Sequence, residues 1–362
     1  MGRQLKISRG NFSDLEIRLS SAPRDVKYQM ELHLTSAPCL RSLGIIELRG
    51  RGSYKLNIES ASAAPNLKIL NLSVPKGFTQ SHLDEFVSKL PSLEHLYLEI
   101  TYGGSSSEMS KMRVSSHQLR VLELHDRVCG AEKMNLRELE IDAPNLVTVR
   151  YMGRRFRFPS KINVVNVSYD CRFVVEGYSV PSATMCLTFE WFLRLRQSLS
   201  TLSPFHLVLQ LHGLRMLQQV SFDLSQVECT SPPVTIQHLQ LETSFVNSPD
   251  SPEDEFDKAP PEVVHCDIQN DATFLDGLFW ACRPKFIDMT HHSDVDRRFA
   301  EFVYEQLTNK DSAKCCVDTK CWRHELKDVK IENAVHDCSS EAVEVFKNVS
   351  PGATISFMLT WC

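Results

Sequence analysis

The chain has 362 residues, of which 40 are basic and 45 acidic, so that its formal net charge at pH 7 is -5. A small negative net charge does not indicate binding to nucleic acid or to an acidic membrane. The sequence contains no run of about 18 apolar residues, so no membrane-spanning segment is predicted. The first residues lack the apolar core of a secretory signal, and the 12 cysteines are scattered. We therefore expect a cytoplasmic or nuclear protein in which most cysteines are small buried residues.

Alternating apolar residues predict strands from the start of the chain. The alternation is carried by Leu15, Ile17 and Leu19 and then by Met30, Leu32 and Leu34. Nothing before these residues resembles the polar cap that terminal repeats of a stacked array normally carry. We therefore expect the chain to begin inside an array.

A phrase of the form L-x-x-L-x-L recurs along most of the chain. Residues 65–72, P-N-L-K-I-L-N-L, give one clean copy at Leu67, Leu70 and Leu72. The other clean copies are Leu40/Leu43/Ile45, Leu93/Leu96/Leu98, Leu119/Leu122/Leu124, Leu136/Leu139/Ile141 and Leu146/Val149/Tyr151. Looser copies follow at Ile162/Val165/Val167, Leu217/Val220/Phe222, Ile236/Leu239/Leu241 and Leu326/Val329/Ile331.

The spacing of these copies indicates a repeat architecture. The first positions 40, 67, 93 and 119 are separated by 27, 26 and 26 residues, within the leucine-rich repeat period of about 20–29 residues. The fourth and sixth positions of the phrase point to one side of a strand, and stacked neighbours bury the face that one unit alone leaves exposed. One copy would fit an ordinary amphipathic segment. The recurrence predicts an α/β leucine-rich-repeat solenoid, a horseshoe with a curved parallel β-sheet and irregular helical or loop returns.

Between the strands, one return has the pattern of a helix. In residues 81–90 the apolar side chains are Leu83, Phe86, Val87 and Leu90, the i, i+3, i+4, i+7 spacing of an amphipathic helix that ends before Pro91. Prolines hold the same place before other strands.

The turns after the strands depart from the usual repeat. An Asn often stands three residues after the last strand leucine, but Pro75, Thr101 and Arg127 occupy those places. Other groups must therefore satisfy the backbone of the turns.

After about residue 180 the spacing loosens. We expect a regular array at 1–180 and irregular C-terminal repeats at 181–362. Helices are predicted at 188–202 and 274–282, and alternation at Ile355, Phe357 and Leu359 predicts a closing strand. Residues 248–261, S-P-D-S-P-E-D-E-F-D-K-A-P-P, are acidic and proline-rich, which favours a disordered surface loop.

Three strings in the C-terminal third carry a family resemblance. They are F-L-D-G-L-F-W-A-C-R-P-K-F-I-D-M at 274–289, C-W-R-H-E-L-K-D-V-K-I-E at 321–332 and G-A-T-I-S-F-M-L-T-W at 352–361. Together with the S-A-P-x-L repeats, they resemble plant F-box/leucine-rich-repeat proteins. The resemblance implies a substrate-recognition subunit of an SCF-type cullin ubiquitin ligase, in which the repeats hold the substrate and an N-terminal F-box docks on a Skp-type adaptor.

The chain departs from that family at its start. An F-box would show a leading L-P-x-x-L phrase and a later L-S-x-x-W, and neither precedes Leu15. We therefore expect the substrate-recognition part without the docking part, with adaptor and cullin as partners only where an F-box is supplied. A non-ligase leucine-rich-repeat scaffold, or a truncated gene product without independent function, remains the alternative.

Two clusters have residue types that bind metals. Cys315, Cys316, Cys321 and His324 give the spacing C-C-x4-C-x2-H, which lacks the two separated pairs of structural zinc sites, so we expect a loop leading to a strand at 326–331. The second cluster comprises His291, His292, Asp294 and Asp296. No further group completes it, and a solvated loop is the expectation.

The remaining motifs do not indicate catalysis or nucleic-acid binding. Arginines interleave with aromatic residues in 154–158, R-R-F-R-F, which fits single-stranded nucleic acid but also a half-buried strand edge in a chain that is not basic. G-x-S-x-G and phosphate-loop motifs are missing from the sequence. We expect no enzyme activity, no catalytic residue, no cofactor and no metal ion.

Surface recognition is then the expected role. Positions three and five of each strand phrase point away from the core, to the concave side. Their mixed aromatic, apolar and charged side chains fit a protein partner, with Tyr97 and Arg150 as anchors, although ordinary solvated sheet residues would show the same pattern. The candidate partner-binding residues are Asn71, His95, Tyr97, Glu123, Glu138, Glu140 and Arg150.

Overall fold

The protein is described from a computed structural model. The described residues are 2–8, 12–19, 29–47, 53–74, 78–100, 111–126, 136, 138–154, 161–167, 171–178, 186–202, 206–212, 219–222, 232–244, 268–290, 294–309, 322–332, 346 and 352–362. The chain divides into two compact units, Met1–Phe173 and Val174–Cys362. The division predicted at residue 180 from the regularity of the repeats stays a prediction.

The unit Met1–Phe173 is built of short strands and, in its described part, one helix. The elements are β1 (Gly2–Ser8), β2 (Asp14–Leu19), β3 (Gln29–Ser36), β4 (Ser42–Glu47), β5 (Ser53–Ile58), β6 (Ile69–Val74), α1 (Gln80–Lys89), β7 (His95–Ile100), β8 (Lys111–Ser115), β9 (Val121–Asp126), β10 (Glu138–Ala143), β11 (Thr148–Arg154) and β12 (Lys161–Val167). Strand β13 (Arg172–Tyr178) begins in this unit and continues into the next.

Six neighbouring strands of this unit belong to one sheet and are parallel, and we call them the front sheet. Its strands β2, β4, β6, β7, β9 and β11 pair in this order, each parallel to its neighbour. The phrase residues of neighbouring strands pair directly, as Leu70, Leu96 and Leu122 do. These three leucines are 0% exposed. The predicted stack of leucine phrases is thus confirmed as a solenoid of parallel strands.

The returns between front strands are mostly strands themselves. Strands β1, β3 and β5 form a first back sheet, and β8, β10 and β12 form a second, both parallel. Their inward side chains, such as Leu32, Leu56, Met112 and Leu139, are at most 5% exposed. The expected helical or loop returns are corrected here, because period-two alternation lets the returns stack in register as well.

The prediction that the phrase Leu136/Leu139/Ile141 lies in the same sheet as the other clean phrases is wrong. It lies on β10 in the second back sheet, as does the looser phrase at Ile162 on the neighbouring β12. The physical reason is the period: Leu136 comes only 10 residues before Leu146, the first position of the next front-sheet phrase. A turn of the solenoid needs both a front strand and a return, and 10 residues do not suffice for both.

The predicted helical return is confirmed as α1. Its buried side chains are Leu83 and Phe86, and its first turn is capped by Thr79, whose N–H lies 3.1 Å from Nδ1 of His82. The helix stops at Lys89, and Leu90 leads into Pro91. Proline fits there because it cannot continue a helix.

A repeated turn leads into the front strands. The N–H of the first phrase leucine donates to the carbonyl three residues earlier at Leu40, Leu67, Leu93 and Leu146, over 3.0–3.2 Å. In each of these turns proline is the second residue, where its fixed φ favours a β-turn. The prolines therefore shape the turns as well as excluding helix.

Side chains from successive turns form a hydrogen-bond ladder. Nδ2 of Asn66 donates to the carbonyl of Pro38 over 2.8 Å, and Oγ of Ser92 donates to the carbonyl of Pro65 over 2.6 Å. Nδ2 of Asn145 reaches the carbonyl of His117 over 2.6 Å. All three donors stand directly before the first phrase leucine, so they bond carbonyl groups of the turns that precede the front strands. Pro75, Thr101 and Arg127, which follow the strands, lie outside the described residues.

The unit Val174–Cys362 combines strands with helices. Its elements are β14 (Cys186–Thr188), α2 (Phe189–Leu202), β15 (His206–His212), β16 (Gln219–Ser221), β17 (Val234–Ser244), α3 (Ile268–Ala281), β18 (Cys282–Thr290), α4 (Asp294–Thr308), α5 (Trp322–Glu325), β19 (Leu326–Ile331) and β20 (Thr354–Trp361). Strands β15, β17 and β18 are parallel, whereas β20 runs antiparallel to both β18 and β19. Strands β14 and β16 form a separate parallel pair.

The predicted helices and the closing strand of this unit are confirmed as α2, α3 and β20. Helix α4 corrects one expectation, because Asp294 and Asp296 lie in its first turn and not in a loop. Residues 248–261, the predicted disordered loop, lie outside the described residues. In the part of the chain that the structure describes, no helix is long and apolar enough to cross a membrane.

The three strings that carry the family resemblance meet in space. Asp276 on α3 accepts hydrogen bonds from Nε1 of Trp322 over 2.8 Å and from the guanidinium of Arg323 over 2.6 Å. Nε1 of Trp361 on β20 donates to the carbonyl of Pro284 over 2.6 Å. These residues hold α3, β18, α5 and β20 together, so the strings have a structural role.

Candidate functional site

The outward side chains of the front sheet form the candidate site. We call Asn71, His95, Tyr97, Glu123, His125 and Arg150 the front-face cluster; they lie on β6, β7, β9 and β11. Asn71, Tyr97, Glu123 and Arg150 follow one another in register across the four strands. They alternate with the buried leucines, which is why they point away from the core. Five of the seven predicted residues are thus brought together.

Glu138 and Glu140, the other two predicted residues, are not part of the cluster. They lie on β10 in the second back sheet, where oxygens of Glu138 and Glu140 lie 3.5 and 3.8 Å from Nζ of Lys111. Arg113 is 3.6 Å from Glu140 on the same sheet. Their assignment followed from placing Leu136/Leu139/Ile141 on the front sheet and is wrong for the same reason.

A charged group spans three neighbouring strands of the cluster. Nε2 of His95 lies 3.1 Å from Oε1 of Glu123, and a terminal nitrogen of Arg150 lies 3.9 Å from Oε2. The side chains of His95, Glu123 and Arg150 are 31%, 21% and 38% exposed. A partner can therefore reach all three, while water screens them only in part.

The pKa of Glu123 is lowered from its ordinary value of 4.5. The largest cause is the contact with His95, within hydrogen-bonding distance, and the positive charge of Arg150 adds to it. Partial burial acts in the opposite direction, because desolvation disfavours a carboxylate. The ionised form of Glu123 is thus held in place by its two neighbours.

Tyr97 is oriented by a residue that the sequence did not indicate. Its hydroxyl lies 2.7 Å from Nδ1 of His125, and the two rings meet edge to face at 76° with their centroids 6.1 Å apart. His125 itself is 8% exposed. It follows the last apolar residue of its phrase, Leu124, and so lies beyond the positions that the phrase defines. Continuing the alternation by one more residue would have found it.

The same row contains two further buried polar residues. Ser73, Glu99 and His125 pair in register on β6, β7 and β9, and Ser73 and Glu99 are 1% and 4% exposed. Oγ of Ser73 donates to Oε2 of Glu99 over 2.6 Å. A second row of polar residues, which includes His125 of the cluster, therefore lies beside the row Asn71, Tyr97 and Glu123 on the same face of the sheet. Such a row fixes side-chain positions when its hydrogen bonds are satisfied.

Acid should remove the stabilisation that Glu123 provides. Because its pKa is lowered in the folded protein, the carboxylate stabilises the fold above pH 4.5, and this contribution is lost as the pH falls through the folded-state pKa. We expect Glu123→Gln to be less stable than wild type by about 0.5–1 kcal/mol at pH 7. The difference should shrink towards zero at pH values below that pKa. Urea unfolding at a series of pH values measures it.

Glu138→Gln provides the matched control for this prediction. Glu138 is an outward glutamate of the second back sheet, 41% exposed and 3.5 Å from Lys111. An exposed pair of this kind contributes little, so its variant should track wild type at every pH. If both variants lost the same free energy of unfolding with the same pH dependence, the lowered pKa of Glu123 would not be the cause.

Most residues of the candidate metal and nucleic-acid motifs lie outside the described part of the chain. Cys315, Cys316 and Cys321, the pair His291–His292, and the side chains of 154–158 lie outside the described residues. Among described residues, no three His, Cys, Asp or Glu side chains are grouped so as to hold a metal ion. Burial raises the pKa of Cys171 to about 11 and that of Cys282 to about 12, so both thiols stay protonated at neutral pH.

A scan of the sequence against protein-family models finds no match. Searches of the curated proteins and of the solved structures find no significant match either. The comparisons therefore leave the role of the front-face cluster to be inferred from its own side chains. It presents a phenol, imidazoles, a carboxylate and a guanidinium on one sheet face, with Tyr97, Glu123 and Arg150 in register.

Proposed function

We propose that this chain is a leucine-rich-repeat recognition protein of the plant F-box type, the part that holds a protein substrate for an SCF-type cullin ubiquitin ligase. The proposal combines the repeat period and the resemblance strings with the parallel solenoid. The single observation that carries it is the row Asn71, Tyr97, Glu123 and Arg150, which crosses four parallel strands in register. In this proposal the solenoid is a leucine-rich-repeat horseshoe. A Skp-type adaptor and a cullin bind to it through an F-box where one is supplied.

The front-face cluster has the composition of a protein-binding surface. Tyrosine and arginine dominate the residues that contribute most to protein–protein affinity, and here Tyr97 and Arg150 flank Glu123. Tyr97 is held by His125, and Glu123 by His95. Side chains that are already ordered lose little entropy when a partner binds. The surface is thus suited to bind a protein without rearranging.

The proposed role is binding, without a chemical step in this chain. The cluster pairs Tyr97 with His125 and Glu123 with His95, which fits recognition by complementary donors and acceptors. We place the protein in the cytoplasm or nucleus, acting without a cofactor or metal ion. The substrate and any ligase subunits are its proposed partners.

Replacing the tyrosine anchor tests the proposal. Tagged wild-type chain and Tyr97→Ala are used to capture proteins from a plant extract, and captured proteins are quantified by mass spectrometry. We expect the variant to bind the captured substrate at least about tenfold more weakly, the loss typical of an interface anchor. Glu138→Ala, on the second back sheet, should retain it. Titration of the purified substrate with wild type and with Tyr97→Ala then gives the two dissociation constants directly.

The captured set also separates the ligase from the alternative. A Skp-type adaptor and a cullin recovered with the substrate support the ligase assignment, whereas a substrate recovered without them favours the non-ligase scaffold. If Tyr97→Ala and Glu138→Ala lose the substrate equally, or neither loses it, the front face is not the binding surface.

A further inference from the structure

The first turn of the solenoid has an open outer edge in the described part of the chain. Strand β2 pairs with β4 and β1 pairs with β3, and among the described residues neither strand has a second neighbour. Leu5 on β1 is 43% exposed, although Leu32, its partner in register, is 0% exposed. Leu15 and Ile17 on β2 are half-buried, whereas their partners on β4 are 0% exposed. The apolar layer of the stack therefore extends to an end that the described residues leave uncovered.

The open edge of β2 presents the backbone groups of alternate residues. The N–H of Ser42 on β4 donates to the carbonyl of Ser13 over 3.0 Å. Because the backbone groups of successive strand residues point to opposite sides, the odd-numbered residues of β2 bond to β4. The even-numbered residues Asp14, Glu16 and Arg18 offer their N–H and C=O groups to a strand from outside.

The side chains at this edge carry charges of both signs. Glu16 and Arg18 are paired with each other on the outward face of β2, and their side chains are 48% and 68% exposed. Asp14 is exposed on the same face and accepts a hydrogen bond from Oγ of Ser13 over 2.5 Å. Lys6 is exposed on β1. Charged side chains on an edge strand usually prevent edge-to-edge pairing, but here opposite charges stand two residues apart.

We propose that this edge binds a second copy of the chain in a symmetric dimer, in which the two β2 strands pair antiparallel. The contact is isologous, with the twofold axis at Ile17. Glu16 of each copy then lies opposite Arg18 of the other copy, and the four side chains alternate in charge. On the core side, Leu15 lies opposite Leu19, and the two Ile17 side chains meet.

A second copy fits this edge because one register satisfies the backbone, the charges and the apolar residues together. In that register the outward N–H and C=O groups of Glu16 and Arg18 bond across the axis. With the axis at Glu16 instead, the two glutamates would lie directly opposite each other, and with the axis at Leu15, Asp14 would lie opposite Glu16. Like charges directly opposite on paired strands are destabilising, so the register at Ile17 is favoured.

The dimer joins the two front sheets into one continuous sheet. The second copy also covers the open end of the stack, where the exposed surface of Leu5 lies. Each dimer then presents two front-face clusters, one on each copy. The inference uses a different surface from the front-face cluster and does not depend on the ligase assignment.

Charge reversal tests the proposal on the full chain by sedimentation equilibrium at a series of protein concentrations. Wild type should approach twice the monomer mass of 41.3 kDa. Glu16→Arg and Arg18→Glu each bring like charges together twice, so each should raise the dimer dissociation constant at least about tenfold. The double variant Glu16→Arg/Arg18→Glu restores the opposite pairs with the charges exchanged and should dimerise within about threefold of wild type. Glu138→Arg makes the same charge change on the second back sheet, where Glu138 is 41% exposed, and should dimerise as wild type does.

A mixture of the two single variants gives the sharpest check. Glu16→Arg and Arg18→Glu should be largely monomeric alone, but together they should form a heterodimer, because every facing pair is then opposite in charge. Three results would each overturn the inference: a monomeric wild type at all concentrations, single variants that dimerise as wild type does, or a mixture that stays monomeric.

Circular dichroism checks that each variant is folded. Should a variant not fold, hydrogen exchange of wild type at low and high concentration decides. The amides of Glu16 and Arg18 must gain protection as the concentration rises, whereas that of Leu70, inside the front sheet, must not change. Equal behaviour of these amides would contradict a dimer formed through β2.

Discussion

Leu122→Ala is expected to lower the free energy of unfolding by about 3 kcal/mol, within the range of about 2–5 kcal/mol for leucine truncations in well-packed cores. Leu122 is 0% exposed on β9, in register with Leu96 on one side and Val149 on the other. Truncation removes its apolar transfer energy and leaves a cavity that the stacked neighbours cannot close. Urea unfolding followed by circular dichroism measures the change.

Val147→Ala is the control for this prediction. Val147 stands in the turn before β11 and is 41% exposed, so its truncation should change stability by less than about 0.5 kcal/mol. If Leu122→Ala cost less than about 1 kcal/mol, the stacked core of the front sheet would not be what holds this unit together.

The solenoid also predicts where Leu122→Ala acts. In stacked repeats each turn contacts only its neighbours, so stability is close to a sum of local terms. Hydrogen exchange should therefore show the largest loss of protection in β7, β9 and β11. Strands β1, β3 and β5 lie several turns away and should keep most of their protection. A uniform loss through Met1–Phe173 would instead indicate one cooperative core.

The front sheet could be predicted because its phrase and its period agree. The first positions 40, 67, 93, 119 and 146 are separated by 27, 26, 26 and 27 residues. The back sheets were harder, because Leu139 and Ile141 alternate as Val149 and Tyr151 do, and alternation alone does not say which sheet a strand joins. Only the spacing separates strands of the front sheet from strands of the back sheets, and it assigns Leu136 to a return.

The difference between front and back strands also explains which candidate site residues could be predicted. Asn71, His95, Tyr97, Glu123 and Arg150 follow from the front-sheet phrase, but His125 lies one step beyond it. The stacked rings of His238 and Phe286 could not be predicted, for another reason. His238 and Phe286 are 48 residues apart in sequence and meet only through the pairing of β17 with β18. No local pattern gives that pairing, because residues 245–267, which separate the two elements β17 and α3, carry no repeat phrase.

Gly277→Ala is expected to destabilise the protein by about 2 kcal/mol, although alanine normally stabilises a helix interior by about 0.5–1 kcal/mol relative to glycine. A Cβ at Gly277 on α3 would stand 2.6 Å from the ring of Phe192 on α2. That ring is 0% exposed and packs against Trp191, Phe222 and Phe274, with centroids 4.9, 5.2 and 6.3 Å away. It has no free direction in which to move, so overpacking of about 1–3 kcal/mol or more outweighs the helix gain.

Two further variants separate this clash from a general effect of replacing glycine. Gly44→Ala places its Cβ 3.4 Å from Cγ of Glu16, an ordinary contact on a strand, and should change stability by less than about 1 kcal/mol. Combining Gly277→Ala with Phe192→Leu should cost less than the two single changes added together, because the smaller side chain makes room for the new methyl group. Additive losses in thermal and urea unfolding would show that α2 and α3 do not meet at Gly277. The close approach of α3 to α2 positions β18, which directly follows α3, so the same glycine supports this strand from within the core.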